Sequence, residues 1–290
     1  MLNLPKKFYL EPTNYCNLRC TMCPTSTSPR KKGFMDFDFF CRCIDSIPDQ
    51  CSVNLYHSGE PLLHHRIVDM VSYISENKPN ITSTIATNAT ILTEDLSEDL
   101  IKAGLGVIIF SFDAVDKKIY EEIRIGSNYD KTWSNINKFV EKRIGTIPSI
   151  IVDLIKIKKY KQDMNVYMDE LFKIGVDTVR IKKYLSWIDL KPEEICVTIP
   201  PDTTCTFPFT TMLILWDGTV IPCCPDINVQ YDCGNVFNTP LIDVWNGDKL
   251  NALRQVVIDK QLYNFYPCKN CQDIKTFEQP YEGVFQSKYC

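Results

Sequence analysis

Cys16-Asn-Leu-Arg-Cys20-Thr-Met-Cys23 is the stretch on which the reading of this chain turns. Its three thiols are offset by four and then three residues. Thiolates at that spacing can converge on three irons of a [4Fe–4S] cube and leave the fourth iron without a protein ligand. An iron with an open position can take a substrate or cofactor, as open catalytic zinc sites do. The competing readings fit less well. Zinc usually takes four ligands in paired CxxC spacing, and a disulfide leaves one of three cysteines over. Met22, just before the last cysteine, is a soft apolar side chain suited to shielding a cluster.

Working outward, Lys7–Glu11 reads as a strand feeding this loop, and five more strand-like runs follow: Ser52–His57, Ile81–Thr87, Gly106–Phe112, Ser149–Leu154 and Val176–Ile181. Amphipathic stretches lie between them at Asp36–Ile47, Arg66–Glu76, Glu94–Ala103, Asp130–Glu141 and Asp163–Ile174. In the third, Leu96, Leu100 and Ala103 recur at helical spacing, and Thr93 opens it as a cap. Strands alternating with helices make right-handed βαβ units and a parallel sheet. Such sheets carry their functional loops beyond the carboxyl ends of the strands, where the cysteine loop falls. A Pro-rich break at Ile199-Pro-Pro-Asp marks a change of pattern. We expect residues 1–190 to form one α/β domain and residues 191–290 a small cysteine-rich one.

Composition narrows the class. A length of 290 residues allows one large core with an appendage. A net charge of −4 gives no basic footprint for nucleic acid. No apolar run reaches membrane-spanning length, and the start lacks an apolar signal segment, so the expected setting is cytoplasmic. Fourteen cysteines without a secretion signal point to metal rather than a disulfide scaffold. Three histidines, two of them the pair His64–His65, supply histidine metal sites poorly. His57, at the end of its run, reads as a structural or pocket-wall residue.

The CxxxCxxC spacing resembles the signature of the radical S-adenosylmethionine (SAM) superfamily. In that family the unique iron chelates the amino and carboxylate groups of SAM, and an electron from the cluster cleaves it to a 5′-deoxyadenosyl radical. The family fold is a (β/α)6 partial TIM barrel, and the strand count agrees. Ser58-Gly59-Glu60-Pro61 resembles the family's Gly-Gly-Glu-Pro turn, with Gly59 allowing close backbone approach and Glu60 facing the cationic amino group. Thr87-Asn88-Ala89 resembles its Thr-Asn-Gly, and Ser111-Phe112-Asp113 its Ser-x-Asp; Arg124 lies in a segment that members similarly carry. The resemblance implies SAM contacts from Ser58, Gly59, Glu60, Asn88, Ser111 and Arg124, while Asn88 and Asp113 equally fit turn or helix caps.

The final third holds Cys205, the string Leu215-Trp-Asp-Gly218-Thr-Val-Ile-Pro-Cys223-Cys224, and Cys268-Lys-Asn-Cys271. Four thiolates from two separated pieces can close a tetrahedral or a cubane site. The string reads as a β-hairpin turning at Asp217-Gly218. This layout is similar to the SPASM domain, or its shorter twitch form, appended to radical SAM enzymes. Phe277 stands where the full SPASM pattern has a further cysteine. The resemblance therefore implies one auxiliary [4Fe–4S] cluster on Cys205, Cys223, Cys268 and Cys271. Zinc on the same four thiols, and Cys224 or Cys233 in place of Cys223, remain open. Cys41, Cys43 and Cys51 read as core or surface thiols; Cys196 and Cys290 are unassigned.

In layout the chain resembles twitch-type dehydrogenases of the 2-deoxy-scyllo-inosamine dehydrogenase kind. That implies hydrogen abstraction from a small hydroxylated or sugar-like molecule and a two-electron oxidation. It also implies a reducing flavodoxin or ferredoxin as electron donor, and neither nucleic acid nor membrane as partner. A peptide- or protein-modifying maturase, a redox-neutral epimerase and an iron–sulfur carrier are the alternatives. Asp153, Arg180 and Lys182 either point into the barrel or lie on the surface, and no proton acceptor stands out. Tyr184, Trp187 and Ile188 either line a pocket or pack the domain junction.

Overall fold

The structure, a computed structural model, describes residues 1–157, 159–182, 203–271 and 281–287. Six strands lie side by side in chain order and run parallel: β1 (Lys7–Leu10), β2 (Ser52–Asn54), β3 (Thr82–Thr87), β4 (Val107–Ser111), β5 (Ser149–Ile155) and β6 (Thr178–Lys182). Between them come α1 (Phe37–Ser46), α2 (Ile67–Asn77), α3 (Glu94–Lys102), α4 (Lys117–Ile123), α5 (Tyr129–Lys142) and, before β6, α6 (Met164–Lys173). Helix starts are set by local chemistry: Asp36 accepts from the Phe39 amide, Thr93 from Leu96 and Asn128 from Lys131. These are the α/β units of a partial barrel.

Side chains of the strands divide by alternation. Ile150, Val152 and Leu154 of β5 join Phe8, Leu10, Ile85, Phe110 and Val179 in the buried core against the helices. The intervening Asp153 and Ile155 line a cavity inside the barrel. Asp153, Arg180 and Lys182 thus have a settled direction: Asp153 accepts from Arg180 Nε at 2.6 Å and Nη2 at 2.9 Å, and pairs with Lys182 Nζ at 3.2 Å.

Two features go beyond the expected elements. The seven-residue α4, capped by Asp116, ends at Arg124 and so aims that side chain. The final third also extends the sheet at both edges. After α7 (Phe207–Thr210), β7 (Thr211–Ile214) pairs parallel with β1, and β8 (Val220–Ile221) returns antiparallel to β7. The expected hairpin is therefore present, with Gly218 at φ +85° in its turn, and it belongs to the barrel sheet. After α8 (Leu241–Trp245) and α9 (Asp248–Ile258), β9 (Tyr281–Gln286) pairs antiparallel with β6. The break near Leu190, the residues Tyr184, Trp187, Ile188, Phe277, and the thiols Cys196 and Cys290 lie outside the described residues. Among the described residues no helix is long and apolar enough to cross a membrane.

Candidate functional site

The cysteine loop leaves β1 at its carboxyl end and is tied to the end of α4: the amides of Arg19 and Thr21 donate to the carbonyls of Ile125 and Ile123, both at 2.9 Å. Lys32 Nζ closes the loop's return by donating to Asn14 O at 3.0 Å and Thr25 O at 2.9 Å. Cys16, Cys20 and Cys23 come together on the wall of the barrel cavity. Burial pushes the Cys16 thiol up to about 11 and raises Cys20, the latter against the pull of Arg124. A buried thiol of this kind becomes a thiolate when a cation supplies the counter-charge.

The turn at Ser58–Pro61 fits against this loop because Gly59 has no Cβ. Its φ is +88°, and a Cβ there would stand 2.6 Å from the carbonyl oxygens of both Thr13 and Tyr15. The Glu60 amide donates to Tyr15 O at 2.7 Å. The Glu60 carboxylate turns into the protein and accepts from the Leu62 amide at 3.1 Å, the Thr87 hydroxyl at 2.7 Å and the Asn88 amide at 2.8 Å. Burial raises its pKa despite these donors. Glu60 thereby braces the turn after β2 to the end of β3 while forming part of the cavity wall. Asn88 lines the same wall and donates to Asn17 Oδ1 at 3.0 Å. Ala89, where the family motif has Gly, takes φ +58°.

Ser111 at the end of β4 and Arg124 complete that wall. Arg124 Nε donates to Asp113 Oδ2 at 2.7 Å, and its Nη1 to the Cys20 sulfur at 3.7 Å. Asp113 therefore acts by aiming Arg124, and its other oxygen accepts from the Ile155 amide at 2.8 Å.

The side chain of Ser58, expected among the SAM contacts, faces away from the cavity. Its hydroxyl donates to Glu11 and is not part of the cavity wall. Glu11 is 0% exposed. Its Oε1 also accepts from Arg30 Nη1 at 3.1 Å and faces His57 Nδ1 at 3.2 Å; its Oε2 accepts from Arg30 Nη2 at 2.7 Å and the Trp216 amide at 3.3 Å. Burial alone would raise this carboxyl, but the hydrogen bonds and charges of His57 and Arg30 outweigh it and hold it at about 2. Glu11, Arg30 and Asn17 were not singled out from the sequence, and Thr87 entered only as part of the Thr87-Asn88-Ala89 motif. The available signal was a carboxylate directly after an apolar strand, Phe8-Tyr-Leu-Glu11.

The cavity is also bounded by Tyr56, His57, Asp153 and Lys182. Burial lifts the Tyr56 phenol to about 12. Burial likewise opposes the Asp153 carboxylate, but Lys182 and Arg180 lower its pKa below the usual range.

The second cysteine set gathers beside α9. Cys205, Cys268 and Cys271 pack with Leu253, Val257 and Leu262. Burial raises Cys223 and Cys268 far above the ordinary thiol range; Cys223 also feels the charges of Cys268, Cys271 and Cys205, and Cys268 those of Cys205, Cys271 and Cys233. Cys224 faces elsewhere, towards Tyr9, Tyr56, Lys7 and Lys182, and its carbonyl lies 3.1 Å from His57 Nε2. Cys233 sits in the main core. Among the described residues no three His, Cys, Asp or Glu side chains gather tightly enough for a single metal ion.

Comparison with known proteins agrees with this geometry. The Radical SAM superfamily model matches residues 10–159, and the SPASM model, an iron–sulfur cluster-binding domain, matches residues 205–272. A tungsten-containing aldehyde ferredoxin oxidoreductase cofactor-modifying protein of Pyrococcus furiosus is 27% identical over 92% of this chain and 87% of its own length. The SAM-dependent 2-deoxy-scyllo-inosamine dehydrogenase of Niallia circulans is 23% identical over 95% of this chain and 96% of its own. The crystal structure of BtrN in complex with AdoMet and 2-DOIA shares the fold, with a TM-score of 0.65, 20% identity, and coverage of 98% of this chain and 100% of that one. Iron–sulfur clusters and SAM are the cofactors these domains imply, and the buried thiol sets and the polar cavity fit them. The chain is a radical SAM enzyme with a SPASM-type region, a member of the radical SAM superfamily.

Proposed function

We propose that this enzyme removes two hydrogens from a small hydroxylated or sugar-like molecule, with residues 1–190 holding SAM and residues 191–290 holding an auxiliary cluster. In this reading Cys16, Cys20 and Cys23 hold the SAM-binding [4Fe–4S] cluster. Cys205, Cys223, Cys268 and Cys271 hold a second one, a reading supported by the match of residues 205–272 to an iron–sulfur cluster-binding domain. Bound there, the reduced cluster and SAM would supply a hydrogen-abstracting 5′-deoxyadenosyl radical and a second cluster would supply an acceptor for one electron, the remaining proton leaving the substrate hydroxyl to solvent or a buffer base.

One observation carries the reading. The cavity that the three loop cysteines line is also bounded by Tyr56, His57, Asp153 and Lys182, and Cys224, the neighbour of Cys223, packs against Tyr56 and meets His57 through its carbonyl. The cavity wall thereby connects the cysteine loop with the stretch of chain that carries Cys223. The chain's own residues have distinct tasks. Gly59 and the Glu60 brace shape the turn that receives the SAM amino group, Asn88, Ser111 and Arg124 offer polar contacts, and Asp113 holds Arg124. Asp153 and Lys182 present an acceptor and a donor to substrate hydroxyls, which orients the reacting C–H. A reduced flavodoxin or ferredoxin supplies the electron, in a cytoplasmic setting where free thiols persist.

A second reading is modification of another enzyme's cofactor, favoured by the Pyrococcus furiosus relative. Anaerobic iron and sulfide quantitation with Mössbauer spectra tests the first step. About eight irons, falling to about four in the Cys16→Ala/Cys20→Ala/Cys23→Ala variant, is the result two cubanes require. About four falling to none, with zinc retained, refutes the auxiliary cluster. Product mass then decides the chemistry: a loss of two hydrogens supports dehydrogenation, and an unchanged mass sinks it.

A further inference from the structure

The carboxylate of Glu11 touches none of the cysteines, yet it joins four separate pieces of chain. It stands at the end of β1 and receives the hydroxyl of Ser58, which leads into the Gly59–Glu60 turn. Both guanidinium ends of Arg30, on the return of the cysteine loop, clamp it. It also receives the Trp216 amide from the tip of the β7–β8 hairpin and faces His57 Nδ1. The other nitrogen of His57 lies against the carbonyl of Cys224, next to Cys223. The same faces are tied again nearby: Ser28 donates to Asn228 Oδ1 at 2.6 Å, and Gly33 lies so close under the Trp216 ring that a Cβ would stand 2.5 Å from it.

We infer that Glu11 is a positioning residue, holding the SAM turn and the Cys223 hairpin in one register. A carboxylate whose donors come from both sides transmits a displacement of either to the other, because a buried charge left unpaired is strongly unfavourable. The two arms end on different elements, although the Ser58 hydroxyl also faces His57 Nδ1 at 3.4 Å. Ser58 is the arm to the turn, and His57 is the arm to the hairpin.

The inference rests on the proposed cluster assignment, and iron content keeps the two apart: wild-type protein loading about four irons refutes the assignment, whatever Glu11 does. With about eight irons loaded, the test is SAM affinity by equilibrium dialysis together with the electron paramagnetic resonance signal of the reduced auxiliary cluster. Glu11→Gln is expected to load iron normally, weaken SAM binding roughly tenfold, the weight of one charge-assisted hydrogen bond, and shift the auxiliary signal. Ser58→Ala should weaken SAM binding alone, and His57→Gln should shift the auxiliary signal. Arg143→Met breaks a partly buried ion pair to Asp177 away from this network and controls for general destabilisation; it should lower the melting point and move neither readout. A wild-type SAM affinity and auxiliary signal in Glu11→Gln overturns the inference. If Glu11→Gln does not load iron, wild-type behaviour of both single-arm variants overturns it instead.

Discussion

Replacing Gly59 with alanine perturbs this protein at the point where the SAM turn meets the cysteine loop, and its cost can be worked out from two parts. The first is the backbone. At φ +88° an L-residue is strained by about 1–2 kcal/mol. The second is contact. The new methyl group would meet two carbonyl oxygens at 2.6 Å and the Asn14 carbonyl carbon at 2.9 Å. These are backbone atoms of the cysteine loop and have no rotamer through which to yield, so an overpacking cost of about 1–3 kcal/mol is added. Gly145 isolates the first part: it has φ +74° and no heavy atom within 4 Å of its ideal Cβ position. Gly145→Ala should therefore cost about 1–2 kcal/mol and Gly59→Ala about 2–5 kcal/mol. At roughly 2 °C per kcal/mol, melting points should fall by about 2–4 °C and about 4–10 °C. The turn can relieve the clash only by moving away, which breaks the Glu60–Tyr15 bond and draws Glu60 from the Asn88 amide. Gly59→Ala should thus weaken SAM binding at least about tenfold, the cost of one such bond, and Gly145→Ala should leave it unchanged. Differential scanning calorimetry and equilibrium dialysis on matched, iron-loaded samples measure both quantities. Equal melting-point losses in the two variants, or unchanged SAM affinity in Gly59→Ala, would refute the wedge.

Other perturbations follow from the same contacts. Arg124→Met leaves the buried Asp113 carboxylate without its cation and should cost about 3–5 kcal/mol, read as a large drop in melting point together with weaker SAM binding. Thr87→Val keeps the shape but removes one of the three donors to Glu60, so a loss of about 1–2 kcal/mol is expected; no loss in calorimetry would show that Glu60 does not depend on that brace. Cys223→Ala should lose about four irons, one cubane's worth, whereas Cys224→Ala should keep its full complement. The reverse pattern in iron analysis would reassign the ligand.

The elements that could be read from the sequence are those whose signals are local. Period-2 runs and capped amphipathic stretches, Thr93 with Leu96 among them, place six strands and five helices within a few residues of their positions. The cysteine loop and the Gly59 turn are contiguous strings and were equally visible. What was not visible depends on pairing across long separations. The Asp217-Gly218 hairpin was recognisable as a hairpin, but nothing in Thr211–Ile214 says that β1 is its partner. The six residues of β9 contain Gly283 and follow no clear alternation, and α4 is too short for a helical period to emerge. Direction was hidden too: Asp153, Arg180 and Lys182 alternate on either possible face until the core claims Val152, Val179 and Ile181. Ser58 matched the cofactor turn as a letter, while its hydroxyl belongs to Glu11, a residue 47 positions earlier.

The pairing of β7 with β1 also sets a timetable for synthesis. Glu11 is made 205 residues before Trp216, whose amide reaches it. At about 5–20 residues per second, that interval lasts roughly 10–40 s. For all of it the outer edge of β1 has no β7, and a carboxylate destined for burial lacks part of its shell. An unpaired strand edge is a template for unwanted association. A nascent chain halted before residue 211 should therefore depend on chaperones, and the first six strands expressed alone should aggregate where the whole chain does not.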